Sequence, residues 1–231
     1  MLTAVAIVPA TPVLVPELVG AAAAEVADLR DAVIDAARSL PARWLAIGVG
    51  AGDAVYRSDQ AGTFAGYGVD VRVGLGAAAL GEVVELPLCA LIAGWIRGRV
   101  ADTDRDISVD VHMFAAEHSS GVARRHGRAL RTGIDASPDP VGVLVVADGL
   151  HTLTPAAPGG HLPGSVAGQQ DLDDALATGD LAALAELPEQ VLGRVAYQVL
   201  AGLAEPAPGS ARELYRGAPY GVGYFVGEWL P

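Results

Sequence analysis

Asp148 and, three residues later, His151 directly follow the apolar run 141–147, where an acid–base pair would be useful. In an open α/β sheet, ligands collect beyond the carboxyl ends of the strands, so polar side chains just after such a run face the crevice. A histidine there can act as general base while a neighbouring carboxylate fixes its tautomer. Asp148 and His151 are therefore the catalytic candidates, and an unreactive loop histidine is the competing reading. The same rule selects Thr11 in Pro9-Ala10-Thr11-Pro12, Asp53 in Gly50-Ala51-Gly52-Asp53, and the segment Pro219-Tyr220-Gly221. Thr11, Asp53, Asp148 and His151 are expected to converge on one pocket for a small-molecule ligand. His161, on a Pro/Gly-rich loop over 155–168, could approach the same pocket.

Other patterns imitate known sites and break at their decisive positions. Gly48, Gly50 and Gly52 lack the following helix that a dinucleotide fingerprint needs, and in Gly74-Leu75-Gly76 the third glycine, Gly81, is displaced. Tight turns are the plainer reading of both. Asp102, Asp104, Asp106, Ser108 and Asp110 alternate like a calcium loop. However, Ile107 stands where glycine must turn the chain and Met113 where a bidentate Glu must close the shell. His112 and His118 are six residues apart, which is not the i, i+4 helical zinc pair, and they read as structural. The single Cys89 excludes an internal disulfide and, inside the apolar run 86–96, reads as a buried inert thiol.

The 231 residues carry 15 basic side chains, all Arg, against 27 acidic ones, for a net charge of -12. Neither Lys nor Asn occurs. Those absences exclude a Schiff-base lysine, a P-loop lysine and an N-glycosylation acceptor. The negative charge repels phosphate backbones, and the basic stripe Arg124, Arg125, Arg128 and Arg131 has no interleaved aromatics, so no nucleic-acid partner is expected. Mean hydropathy is positive, +0.37. Nevertheless, the opening stretch 1–16 is broken by Pro9, Pro12 and Pro16, and 86–96 is shorter than the roughly 20 residues a membrane span needs. A soluble, cytoplasmic protein without a membrane partner is expected.

Several elements must position these residues. Runs 3–8, 44–49 and 141–147 are apolar on both faces, as in neighbouring central strands buried between helix layers. Between the first two, 21–40 carries Val26, Leu29, Val33 and Ala37 at helical spacing. Further strands are expected over 69–73, 107–113 and 221–226, and helices over 87–100, 119–132, 171–177, 181–187 and 189–203. The sum is one α/β domain over 1–231 with a mostly parallel or mixed central sheet covered on both faces. The tail aromatics Tyr215, Tyr220, Tyr224, Phe225 and Trp229 either complete the core or join two subunits, and their number motivates the expectation of a homodimer.

The chain resembles the class III extradiol dioxygenase subunit-B-like proteins, in particular an actinobacterial branch of unknown physiological role. The resemblance is carried by Val8-Pro9-Ala10-Thr11-Pro12-Val13-Leu14-Val15-Pro16-Glu17, Asp148-Gly149, Ala157-Pro158-Gly159, Gln198-Val199-Leu200-Ala201-Gly202 and Pro219-Tyr220-Gly221-Val222-Gly223-Tyr224-Phe225-Val226. It implies a three-layer α/β/α fold. In active relatives it also implies Fe(II) held by two His and one carboxylate, which leaves positions open for a catechol and O2 together. Here the position of the first ligand His, ahead of Pro12, is Ala10, and residues 50–53 hold no His where the second belongs. Glu189 is a late carboxylate without a ligand motif around it. The resemblance therefore implies a divergent member without the ordinary Fe(II) site and with no cofactor, acting in small-molecule binding or assembly. The alternative is an active oxidoreductase using a relocated site around Asp148 and His151, since His151 falls near the place of the acid–base histidine in active relatives.

Overall fold

The structure, a computed structural model, describes residues 1–79, 81–101 and 106–231. Strands Leu2–Val8 (β1), Arg43–Gly50 (β2), Ala54–Tyr56 (β3), Ser108–Ala115 (β6), Val141–Val146 (β7), Ser210–Gly217 (β8) and Tyr224–Leu230 (β9) build one sheet, and Ala61–Thr63 (β4) and Arg72–Gly74 (β5) a small second one. Helices Pro16–Val19 (α1), Ala27–Arg38 (α2), Leu88–Val100 (α3), Ser120–Asp135 (α4), Ser165–Thr178 (α5), Leu181–Ala185 (α6) and Arg194–Leu203 (α7) complete the chain. The main sheet runs β3-β6-β2-β7-β1-β9-β8. Its four inner strands, β6, β2, β7 and β1, are parallel, and β3 on one side and β9 and β8 on the other are antiparallel.

Strand alternation sets the layers. Ala4, Ala6 and Val8 of β1 and Leu144 and Val146 of β7 face the core beneath α2 and α3. Val5 and Ile7, with Val141, Val143 and Val145, face the core beneath α5 and α7. Because both faces are covered, each strand is apolar throughout, and the three runs read as neighbouring central strands are β1, β7 and β2 side by side. Burying each Val, Leu or Ile among them contributes about 1.5–3 kcal/mol. The fold is thus a three-layer α/β/α arrangement around a mixed sheet.

Glycine lets layers approach where a Cβ would not fit. On α4 a Cβ at Gly127 would overlap the Val199 carbonyl of α7, and one at Gly202 of α7 would overlap the backbone of Arg124, so the two helices cross almost in backbone contact. Gly48 leaves room for Cys89 and Gly50 for Met113. Packing thus accounts for the two glycines that end β2, Gly48 and Gly50. Burial pushes the Cys89 thiol up to about 11, in keeping with an inert cysteine.

Several expectations are corrected. The segment 69–73 supplies no strand of the main sheet, because only the three-residue β5 forms and it pairs with β4. The strand β8 adds to the expected set; Arg212, Glu213 and Arg216 give it a polar profile, which suits a sheet edge that must not pair further. Of the five tail aromatics, Tyr224, Phe225 and Trp229 are 3%, 2% and 1% exposed and complete the chain's own core, and Tyr215 and Tyr220 are half-buried. The Arg stripe of α4 is engaged by acids: Arg124 and Arg128 pair with Glu205, and Arg131 with Asp135. Asp102 and Asp104 of the calcium-like series lie outside the described residues. Among the described residues, no helix is long and apolar enough to cross a membrane.

Candidate functional site

Parallel pairing of β1 with β7 sets Val8 beside Val146, so two residues beyond each come Ala10 and Asp148 at the same carboxyl edge. The Ala10 N–H donates to Asp148 Oδ1 at 2.8 Å. Two further main-chain bonds, Gly149 N–H to the Gly223 carbonyl at 2.9 Å and Gly223 N–H to the Leu150 carbonyl at 2.8 Å, tie this loop to the start of β9. That tie delivers Tyr224, whose hydroxyl lies 3.1 Å from Thr11 Oγ1 in a buried pair. Behind them Tyr197 of α7 donates to the Ala147 carbonyl at 2.9 Å.

Burial raises the Asp148 carboxyl to about 7, only partly opposed by the Ala10 N–H. Burial also pushes the Tyr224 phenol up to about 12, with the Thr11 bond opposing and Asp148 adding to the rise. At neutral pH the cluster therefore holds a carboxyl present in both protonation states beside two neutral hydroxyls. The Fe(II) implied by the family resemblance does not fit here. Where a ligating imidazole would be needed, Ala10 offers a main-chain N–H, which donates to a carboxylate and cannot bind a cation.

The sequence-derived candidates divide between two groups and a loop. Asp148 accepts from the Ala10 N–H, and Thr11, the next residue in the chain, pairs with Tyr224. The ring of His151 lies over Gly159, where a Cβ would stand 2.5 Å from its Cδ2, and its Nδ1 is buried without a hydrogen-bond partner. Asp148 therefore does not orient the imidazole through Nδ1. His161 is exposed on the same loop, where its backbone bridges Leu153. Beneath the loop, Gln169 accepts from the Leu150 N–H at 2.8 Å and donates to Asp173 at 2.7 Å.

Asp53 belongs to the second group. Parallel pairing of β2 with β6 sets Gly50 beside Ala115, and Asp53 and His118 each follow by three residues. The Ala115 N–H donates to Asp53 Oδ1 at 2.8 Å, and His118 Nε2 lies 2.8 Å from Oδ1 and 3.0 Å from Oδ2. His126, in the second turn of α4, places Nε2 3.9 Å from Oδ2. The Ala115 N–H, more than the two imidazoles, holds the Asp53 carboxyl below its ordinary range.

His118, His126 and Tyr224 join these groups although they are not among the candidates drawn from the sequence. In the sequence Tyr224 stands among the tail aromatics and in the stretch 219–226 that carries the family resemblance, and no local spacing links His126 to Asp53. A separate cavity of about 230 Å³ lies at the amino ends of β2 and β7, lined by Arg43, Trp44, Arg57, Asp110, His112 and Val141 among others. It is at the edge opposite Asp148 and is lined by none of the candidate residues.

No known protein family matches the chain by sequence, and no curated protein does. Among solved structures, it is similar to the uncharacterized protein JW3007 from Escherichia coli K12, with a TM-score of 0.56 and 11% sequence identity over 98% of this chain and 99% of that one. At that identity the likeness is one of fold, and it runs over nearly the whole of both chains.

Proposed function

We propose that this protein binds a small hydroxyl-bearing molecule at Asp148, as a divergent relative of the class III extradiol dioxygenases in which the ordinary Fe(II) position is replaced by carboxyl recognition. The observation that carries the reading is the Ala10 N–H donated to a shielded Asp148 carboxyl at the carboxyl edge of two central strands. A carboxyl near neutrality accepts a hydrogen bond from a ligand hydroxyl when ionised and donates one when protonated. Thr11 and Tyr224 add hydroxyls that can serve as donor or acceptor beside it. A vicinal diol of the catechol type presents two adjacent hydroxyls suited to such a group, and the resemblance favours that ligand class.

Isothermal titration of catechol at pH 7 tests the reading. One molecule per chain is expected to bind, with affinity at least about tenfold weaker in Asp148→Asn, the loss typical of a hydrogen bond to a charged group. Equal affinity in wild type and Asp148→Asn would overturn it. O2 uptake on catechol that disappears in His151→Ala would replace it with the oxidoreductase reading.

A further inference from the structure

We infer that Asp53, His118 and His126 form a binding site for a divalent first-row transition-metal ion, independent of the reading of Asp148. The three side chains bring one carboxylate oxygen and two imidazole nitrogens within 4.8 Å of one another at the carboxyl ends of β2 and β6. Donors that share an ion at about 2.0–2.2 Å stand no more than about 4.4 Å apart. The separations from Asp53 Oδ2, 3.0 Å to His118 Nε2 and 3.9 Å to His126 Nε2, fall inside that limit.

An ordinary Asp–His hydrogen bond accounts for His118 but not for His126. At 3.9 Å the His126 nitrogen is too far from Oδ2 for a hydrogen bond, yet at a span an ion fills. The supports around the donors are those a metal site requires. The Ala115 N–H engages Oδ1 of Asp53 and so orients the carboxylate, with His118 Nε2 within reach of both its oxygens and His126 Nε2 3.9 Å from Oδ2. Arg194 of α7 holds the loop between β6 and α4 through the carbonyls of Ala116, at 2.8 Å, and His118, at 3.0 Å. Phe114 packs on the His126 ring with centroids 5.0 Å apart.

Donor chemistry selects the ion. Two imidazoles and one carboxylate suit Zn²⁺, Fe²⁺ or Co²⁺, whereas Ca²⁺ and Mg²⁺ favour all-oxygen shells. Side-chain exposures of 47% for Asp53, 39% for His126 and 21% for His118 leave the ion open to solvent. Three protein ligands thus leave room for water or an added oxygen ligand. The ion takes the place of the His118–Asp53 hydrogen bond, and because imidazole binds a metal only through an unprotonated nitrogen, binding weakens on acidification.

The test is titration of chelator-treated full-length protein with Zn²⁺ by calorimetry and with Co²⁺ by visible absorption. One ion per chain and Co²⁺ bands of a low-coordinate nitrogen–oxygen site are expected. Affinity is expected to fall at least about a hundredfold in Asp53→Asn and in His126→Gln, beyond the usual effect of losing an outer-shell partner. His126 is half-buried on α4, and circular dichroism checks that its substitution leaves the fold intact. His161→Gln, on the 155–168 loop and outside this group, is expected to bind as wild type. Absence of saturable binding, or equal affinity in wild type, Asp53→Asn and His126→Gln, would overturn the inference. So would a loss in His161→Gln as large as in His126→Gln.

Discussion

Replacing Asp148 by Asn removes a titration that burial has moved from the ordinary carboxyl range to about 7. Between roughly pH 4 and pH 7 the folded protein holds a proton on Asp148 that the unfolded chain has released, so this group makes stability fall as pH rises through that window. Below the window both states are protonated, and above it both are ionised, so the contribution is level at either end. The span from 3.8 to about 7, at about 1.4 kcal/mol per unit, gives at most about 4 kcal/mol. It is an upper bound because the residue keeps part of its surface in solvent. Asn retains an oxygen for the Ala10 N–H without the charge. The stability of Asp148→Asn relative to wild type is therefore expected to grow with pH across this window. Tyr197 and Tyr224, the neighbouring phenols, are both raised and stay protonated throughout. Asp173, raised to about 6 mainly by burial, titrates in both proteins and drops out of the difference. Urea unfolding of both proteins from about pH 4 to pH 8 reads the effect directly. A difference that is flat over that range, or that shrinks as pH rises, would refute the reasoning.

Other substitutions test the packing and the networks. Gly127→Ala and Gly202→Ala each drive a methyl into the facing helix backbone and are expected to destabilise the fold by about 3 kcal/mol in chemical denaturation, near the upper end for overpacking. Gln169→Leu leaves the Leu150 N–H and the Asp173 carboxyl without their partner, and a loss of about 2 kcal/mol is expected by the same assay. Tyr224→Phe removes one buried hydroxyl pair with Thr11 and is expected to cost about 1 kcal/mol while leaving the secondary structure unchanged by circular dichroism.

The central strands were legible because β1, β2 and β7 are buried on both faces, and uninterrupted apolarity is the signature of such burial. Thr11 and Asp148 were also legible, since position after a core strand needs no knowledge of helix packing. Asp53 was found by the same rule, but its partners were not. The strand beside β2 on that side is β6, and His118 arrives through that pairing. His126 lies eight residues further on, inside α4, and is aimed by the crossing of α4 on α7 that Gly127 and Gly202 permit. That crossing is a tertiary fact with no periodic trace in the sequence. The edge strand β8 escaped for the converse reason, because alternating charges on an exposed strand resemble a loop.

The central claim is that Asp148 is a shielded carboxyl that senses a hydroxyl-bearing ligand, and carboxyl-carbon NMR measures it most directly. The Asp148 signal, assigned by its loss in Asp148→Asn, is expected to titrate near 7 in the free protein and to shift its midpoint when catechol saturates the site. A midpoint in the ordinary range of about 4, or one near 7 that catechol leaves unmoved, would contradict the account.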